Sequence, residues 1–121
     1  MARTALIVDD SSSIRQMVAY TLQQAGFAIL EGSNGQDGLQ KLEKNRVEII
    51  ITDLNMPIMD GITFITQLRR LPGTKYTPVL MLTTESQLEK KQEGKAAGAT
   101  GWIVKPFHPG KLLDVIAKVL P

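Results

Sequence analysis

The chain has 121 residues, a net charge of +2 and a hydrophobic content of 43%, which suits one compact domain over residues 1–121. It contains no cysteine, so disulfides and thiolate zinc sites are excluded and a cytoplasmic location is expected. No apolar stretch approaches the roughly 20 residues that cross a bilayer, and the basic residues are scattered without interleaved aromatic residues. We therefore expect neither a membrane nor a nucleic acid as partner.

Short apolar runs alternate with helical patterns in the first half of the chain. A run of serines precedes the first helical pattern and is expected to cap it. In chain order, the predicted elements are a strand at residues 4–9, a helix with Ile14, Met17, Val18 and Leu22 on its apolar face, a strand at residues 28–30, a turn at residues 31–38 (EGSNGQDG) and a strand at residues 47–53.

The second half continues the same alternation. In chain order, it predicts a helix marked by Ile62, Ile65 and Leu68 that ends at residues 71–73, a strand at residues 78–83, a helix at Leu88–Ala97, a strand at residues 101–104 and a helix with Leu112, Leu113, Ile116, Val119 and Leu120. The helix at Leu88–Ala97 is the least amphipathic, because only Leu88, Ala96 and Ala97 are candidates for burial. We expect it to be the most weakly held helix.

Strands and helices that alternate about five times with short loops predict an α/β fold with a parallel sheet and right-handed crossovers. An eight-stranded barrel typically needs about 250 residues, so the chain is too short for one. The remaining architecture is a small, open, doubly wound sheet of five strands with helices on both faces.

Polar side chains follow the predicted strands at their carboxyl ends. Asp9 and Asp10 follow the first strand, Asp53 ends the third, Thr83 ends the fourth and Lys105 follows the fifth. In an open parallel sheet these ends share one edge, and ligands bind where the strand order reverses. If the order is 2-1-3-4-5, the first and third strands are neighbours and their three carboxylates converge.

Converging carboxylates need a proton or a cation between them. Two carboxylates about 5 Å apart repel by roughly 3 kcal/mol at an effective dielectric constant near 20. Oxygen donors without histidine or cysteine suit a hard ion, and Mg²⁺ best. With Lys105 and Thr83 nearby, such a site suits phosphoryl transfer in which Asp53 attacks as a nucleophile and forms an aspartyl phosphate.

Four segments together resemble the successive signatures of the response-regulator receiver domain, namely LIVDDSSSIRQM, IIITDLNMPIMDG, VLMLTT and GWIVKPF. The resemblance covers essentially the whole chain, and the joint order and spacing of the segments are specific. It implies a flavodoxin-like fold with strand order 2-1-3-4-5. The segments TTES and GWIVKPFHPGKL are most similar to the CheY-like single-domain chemotaxis regulators.

The resemblance implies roles for the acidic residues and their neighbour. Asp53 would be the phosphoacceptor. Asp9 and Asp10 would be the acidic pair, with Asp10 a direct ligand of Mg²⁺. Asp53 and the backbone carbonyl of Asn55 would complete the protein ligands of that ion.

The resemblance also implies a switch. Lys105 and Thr83 would act with the phosphoacceptor, and the Lys105–Pro106 peptide bond would be cis. Trp102 would turn inward when Thr83 moves towards the phosphoryl group. This shift would remodel the face formed by the fourth helix, the fifth strand and the fifth helix.

The function implied by the resemblance is that of a stand-alone, monomeric signalling phosphoprotein, not an enzyme with an external substrate. A histidine kinase would donate the phosphoryl group. The flagellar motor switch protein, in chemotaxis, or another phospho-dependent protein would receive the output, and a phosphatase is a further candidate partner. A phosphorelay intermediate or a phosphate sink is the alternative role.

Two other classes of protein stay open. A Mg²⁺-dependent phosphohydrolase would use the same aspartyl phosphate, although Asn55 stands where its second acid is expected. A flavodoxin-like cofactor binder would use the serine run after the first strand. Some single residues also have structural interpretations: Asp60 as a helix cap, His108 as a loop residue and Trp102 as a packing residue.

Overall fold

The computed structural model describes residues 3–84 and 87–120. Strands and helices alternate as the sequence predicts, with a 3₁₀ turn at Pro72–Thr74. The elements in chain order are β1 (Thr4–Val8), α1 (Ser12–Gln24), β2 (Ala28–Gly32), α2 (Gly35–Lys44), β3 (Ile49–Asp53), α3 (Gly61–Leu68), β4 (Val79–Thr83), α4 (Leu88–Ala97), β5 (Gly101–Val104) and α5 (Pro109–Val119).

The five strands form one parallel sheet in the order β2-β1-β3-β4-β5. This confirms the predicted doubly wound, flavodoxin-like fold. Side chains of α1 and α5 pack in the apolar cluster on one face of the sheet, and side chains of α2, α3 and α4 pack in the cluster on the other. Because both faces are covered, β3 and β4 are buried along their whole length and β1 is buried from Ala5 onward, and the three sequences are mostly apolar.

The predicted turn at residues 31–38 is wrong at both ends, because β2 continues to Gly32 and α2 already begins at Gly35. The Asn34 side chain caps this helix by accepting a hydrogen bond from the Asp37 amide at 2.9 Å. The glycines serve close packing instead of a turn. A Cβ on Gly38 would lie 2.9 Å from the Phe64 ring of α3, so only glycine lets the two helices approach this closely.

Two side chains of the predicted helices do not lie where their patterns suggest. Met17 is 52% exposed at the edge of α1, because the sheet covers only one stripe of the helix. Ala96 of α4 is exposed and Ala97 is half-buried, and the side chain of Leu88 lies outside the described part of the chain. Of the described α4 residues only Gly94 is buried, in agreement with the weak amphipathic pattern.

Arg69, which follows α3, links two loops through its half-buried guanidinium group. It donates hydrogen bonds to the carbonyl of Gly98 at 2.8 and 3.0 Å and to the carbonyl of Thr74 at 2.7 Å. Burial lowers the pKa of Arg69, because the charged form loses hydration. The side chain thus holds the end of α4 against the segment before β4.

Strand ends differ by one or two residues from the predicted ranges, and β2 continues to Gly32. Asp9 lies just beyond β1, although its amide still donates to the Gly32 carbonyl at 3.1 Å. None of the helices in residues 3–84 and 87–120 combines the length and the apolar character that crossing a bilayer requires.

Candidate functional site

The sheet brings the predicted acidic residues to its carboxyl edge. β1 pairs with β3, so that Val8 lies beside Thr52 and the next residues, Asp9 and Asp53, emerge together. Asp10 follows directly. One ligand oxygen from each of the three carboxylates lies within 4.8 Å of the others. Asp9 and Asp53 are buried while Asp10 is exposed, so the cluster opens to solvent on one side.

Lys105 reaches the same cluster from β5. Its ammonium group lies 3.1 Å from Asp53 Oδ1 and 3.3 Å from Asp9 Oδ2. The Lys105 amide donates to the Thr83 carbonyl at the end of β4, which fixes the backbone of Lys105 beside the site. The Lys105–Pro106 peptide bond is cis. One lysine faces three carboxylates, which leaves the site with an excess of negative charge.

The environment of Asp9 disfavours its ionised form. Burial raises the pKa of this carboxyl group, and the neighbouring Asp53 charge raises it further. The Ser11 amide, which donates to Asp9 Oδ1 at 2.9 Å, and the Lys105 ammonium act in the opposite direction. Since burial is the largest of these effects, the folded protein holds the Asp9 charge at a cost that a bound cation would offset.

The donor set fits a hard divalent cation. Its side-chain ligands are all carboxylate oxygens, they converge within 4.8 Å, and their charge is only partly balanced by one ammonium group. Mg²⁺ prefers such ligands and retains several waters, for which the exposed side at Asp10 leaves room. Asn55 is exposed in the loop after β3.

Thr83 contributes a buried hydroxyl that lacks a partner within the described part of the chain. Its side chain is 0% exposed, and among the described residues its oxygen has no hydrogen-bond partner. Buried polar groups are hydrogen-bonded in the great majority of cases, so an orphaned hydroxyl requires an explanation. Its place at the end of β4, next to β3 and β5, makes it available to a ligand at the carboxyl edge.

Trp102 lies on β5 beside Met81 of β4, on the face of the sheet that α4 covers. The side chain is 42% exposed. The Lys91 ammonium group of α4 lies over the indole, 5.0 Å from the ring centroid. Trp102 is therefore a surface residue of the α4, β5 and α5 face, not a core residue.

Two interpretations of single residues are now decided. The Asp60 side chain caps α3 by accepting from the Thr63 amide at 2.8 Å, which confirms the predicted cap. His108 is more than a loop residue, because it is the N-cap of α5 and its Nδ1 accepts from the Gly110 amide at 3.1 Å.

Sequence reasoning missed two contacts that support the site. Arg15 of α1 donates a hydrogen bond to the Asp9 carbonyl and pairs with Glu31 at 3.1 Å. Gly61 lies directly against the backbone of Asp53, where a Cβ would collide with the carbonyl oxygen. A glycine immediately after a capping aspartate was the available sign of this close approach.

Comparison with known proteins identifies the class. The sequence profile of the response regulator receiver domain matches residues 5–117. The chain belongs to this family of signalling domains, and its fold is the CheY-like flavodoxin fold.

The individual relatives include a chemotaxis regulator and a transcriptional regulator. The chemotaxis response regulator CheY4 of Vibrio cholerae is 52% identical, with a TM-score of 0.94 and coverage of 99% of this chain and 100% of that one. A response regulator from Chloroflexus aurantiacus is 34% identical, with a TM-score of 0.94 and 98% of both chains covered. The transcriptional regulatory protein SrrA of Staphylococcus aureus is 39% identical over 113 residues, which are 93% of this chain and 46% of SrrA. The chain thus spans about half the length of the curated relatives it matches.

Proposed function

We propose that this receiver domain accepts a phosphoryl group on Asp53 from a histidine kinase and thereby switches a protein-binding face. The observation that carries the proposal is the set of groups around Asp53. Its carboxylate lies 3.1 Å from the Lys105 ammonium group and within 4.8 Å of the other two acids. The orphaned Thr83 hydroxyl lies at the same edge of the sheet.

The reaction transfers a phosphoryl group from a histidine imidazole to the Asp53 carboxylate. An Asp53 carboxylate oxygen attacks the phosphorus of a phosphohistidine, the new P–O bond forms as the P–N bond breaks, and the released imidazole takes up a proton. Asp53 is suited to this role because it is mostly shielded from water yet lies beside the opening at Asp10. The product is an acyl phosphate, which water later hydrolyses.

The surrounding residues neutralise charge and position the group. Asp9, Asp10, Asp53 and the backbone carbonyl of Asn55 would hold Mg²⁺, which when bound neutralises charge on the phosphoryl oxygens. The Lys105 ammonium leaves its bond to Asp53 Oδ1 and binds a phosphoryl oxygen, since each added negative charge attracts it.

The output is a change on the face formed by α4, β5 and α5. The Thr83 hydroxyl gains a phosphoryl oxygen as its missing acceptor, and Trp102 turns inward as Thr83 moves. The partner that reads this face is the flagellar motor switch protein in a chemotaxis pathway. Similarity to CheY4 over essentially the whole of both chains supports this choice.

In this proposal the protein acts as a monomeric, single-domain regulator in the cytoplasm, and a phosphatase is a further partner. It would act as a signalling phosphoprotein and catalyse only its own phosphorylation and dephosphorylation. The alternative, a phosphorelay intermediate or a phosphate sink, uses the same site and differs in the fate of the phosphoryl group. Slow hydrolysis with transfer onward to a histidine protein would favour that alternative.

Trp102 fluorescence tests the proposal, because it is the sole tryptophan of the chain. The protein is titrated with Mg²⁺ and then with beryllofluoride, a phosphoryl mimic. We expect a Mg²⁺-dependent change that Asp53→Asn abolishes and that Asp114→Asn, an exposed acid on α5, leaves intact. A spectrum that ignores both ions in the wild type would contradict the switch, and sustained turnover of a phosphate ester would favour an enzyme.

A further inference from the structure

Lys91 is the α4 side chain that contacts Trp102. Its ammonium group lies 5.0 Å from the indole centroid, inside the roughly 6 Å range of a cation–π contact. The side chain is half-buried, and among residues 3–84 and 87–120 it has no ion pair with a carboxylate. By contrast, the neighbouring Lys90 pairs with Glu93 at 3.3 Å. The indole is therefore the described partner of the Lys91 charge.

Among the described side-chain positions of α4, one residue is buried. The buried α4 residue in the described part of the chain is Gly94, where a Cβ would collide with the Met81 sulfur. Met81 in turn lies beside Trp102 across the β4–β5 pair. No described side chain caps the N-terminus of α4. Within the described residues, the contact between Lys91 and the indole is a direct side-chain link from α4 to β5.

We propose that Lys91 is a positioning residue that holds Trp102 in its exposed resting position and so sets how much phosphoryl mimic is needed to activate the protein. The inference rests on the proposed function, in which Trp102 turns inward. An indole that turns inward leaves the ammonium group above it, so the contact exists only in the resting state. A contact made in one state alone shifts the equilibrium towards that state.

The size of the shift follows from the strength of such contacts. A partly exposed cation–π pair changes a two-state equilibrium by about two- to fivefold. Removal of the Lys91 charge should therefore raise the ratio of the inward to the resting state by that factor. The same factor should lower the beryllofluoride concentration that gives half of the full response.

Three variants separate the contact from a general effect of charge. Lys91→Met removes the charge and keeps the apolar stem, and Lys91→Arg keeps a cation over the ring. Lys95→Met removes the same charge one helical turn away, at an exposed position of α4. The measured quantity is the half-saturating beryllofluoride concentration at fixed Mg²⁺, followed by Trp102 fluorescence. A midpoint is unaffected by any change that the substitution makes in the brightness of the indole.

We expect Lys91→Met to lower the midpoint about two- to fivefold, with Lys91→Arg and Lys95→Met close to wild type. A Lys91→Met midpoint equal to or above that of wild type would overturn the inference, as would an equal shift in Lys95→Met. Phosphorylation of Asp53 by acetyl phosphate, read by mass spectrometry, is measured in parallel. If Asp53 is phosphorylated and Trp102 responds, but the Lys91→Met midpoint equals that of wild type, only the positioning role fails, whereas an unmodified Asp53 removes the proposed function as well.

Discussion

Replacing Lys105 with methionine tests how the acidic site is balanced, because the substitution removes the charge and keeps most of the side-chain volume. The ammonium group lies 3.1 Å from Asp53 and 3.3 Å from Asp9. The Lys105 side chain is 20% exposed, and those of Asp9 and Asp53 are 1% and 10% exposed. Without the ammonium group, two largely buried carboxylates face each other.

The magnitude follows from the lost attraction of the ammonium group, because the repulsion between the two carboxylates is present in wild type as well. Removing one partner of a buried ion pair costs about 3–5 kcal/mol. Proton uptake by one carboxylate recovers part of that cost. We therefore expect Lys105→Met to lower the free energy of unfolding by about 2–4 kcal/mol in EDTA.

Urea unfolding at pH 7, followed by circular dichroism with and without Mg²⁺, measures the effect. Mg²⁺ should stabilise Lys105→Met more than wild type, because the ammonium group and the divalent cation compete for the same carboxylates. Lys111→Met is the control, since Lys111 is exposed on α5 and its removal should change stability by no more than about 0.5 kcal/mol. Equally small losses of unfolding free energy in the two variants in EDTA would refute this explanation. So would a Mg²⁺ stabilisation of Lys105→Met that is no larger than that of wild type.

Three further substitutions test other parts of the account. Arg69→Ala should lower the free energy of unfolding by about 2–4 kcal/mol, because four charged hydrogen bonds to loop carbonyls are lost; urea unfolding that finds the exposed Arg70→Ala equally destabilised would count against this. Burial raises the pKa of Asp9 above its ordinary value of 3.8. Ionisation of Asp9 therefore lowers the free energy of unfolding of the metal-free protein as the pH rises from 3.8 through the higher folded-state pKa. This loss of stability persists at neutral pH. Asp9→Asn in EDTA should therefore melt above wild type at pH 7, with the gap closing as the pH falls towards 3.8; a gap that is absent or constant with pH would show that the raised pKa is not the cause. Gly61→Ala should be destabilised by about 1–3 kcal/mol and bind Mg²⁺ more weakly, since the new Cβ collides with the backbone at the end of β3. Gly73→Ala, where a Cβ meets nothing within 4 Å, is its control in calorimetry and Mg²⁺ titration, and equal losses in the two variants would contradict the explanation.

The fold and the convergence of the acidic residues were predictable from the sequence because both follow from short-range patterns. Continuous apolar strands such as residues 49–51 report burial on both faces. Parallel pairing then brings every strand end to one edge, so that Asp9, Asp53 and Lys105 meet without any knowledge of side-chain geometry. The strand order itself came from the family resemblance.

Contacts between distant elements could not be predicted in the same way. Gly35 and Gly38 have the composition of a turn, and only the crossing of α2 over α3 shows that they make room for Phe64. Met17 has a helical spacing that suits burial, yet the sheet does not extend far enough to cover it. The contact of Lys91 with Trp102 depends on how α4 rests on β4 and β5, which no local pattern encodes.

Site mapping of the phosphoryl group tests the central claim most directly. The protein is treated with acetyl phosphate in Mg²⁺ or in EDTA, and intact mass and peptide fragments are read for wild type, Asp53→Asn and Asp114→Asn. We predict one added phosphoryl group on Asp53 in Mg²⁺, in wild type and Asp114→Asn alike, with none in EDTA and none in Asp53→Asn. An unmodified wild-type protein, or a phosphoryl group on another residue, would contradict the assignment of Asp53 as the phosphoacceptor.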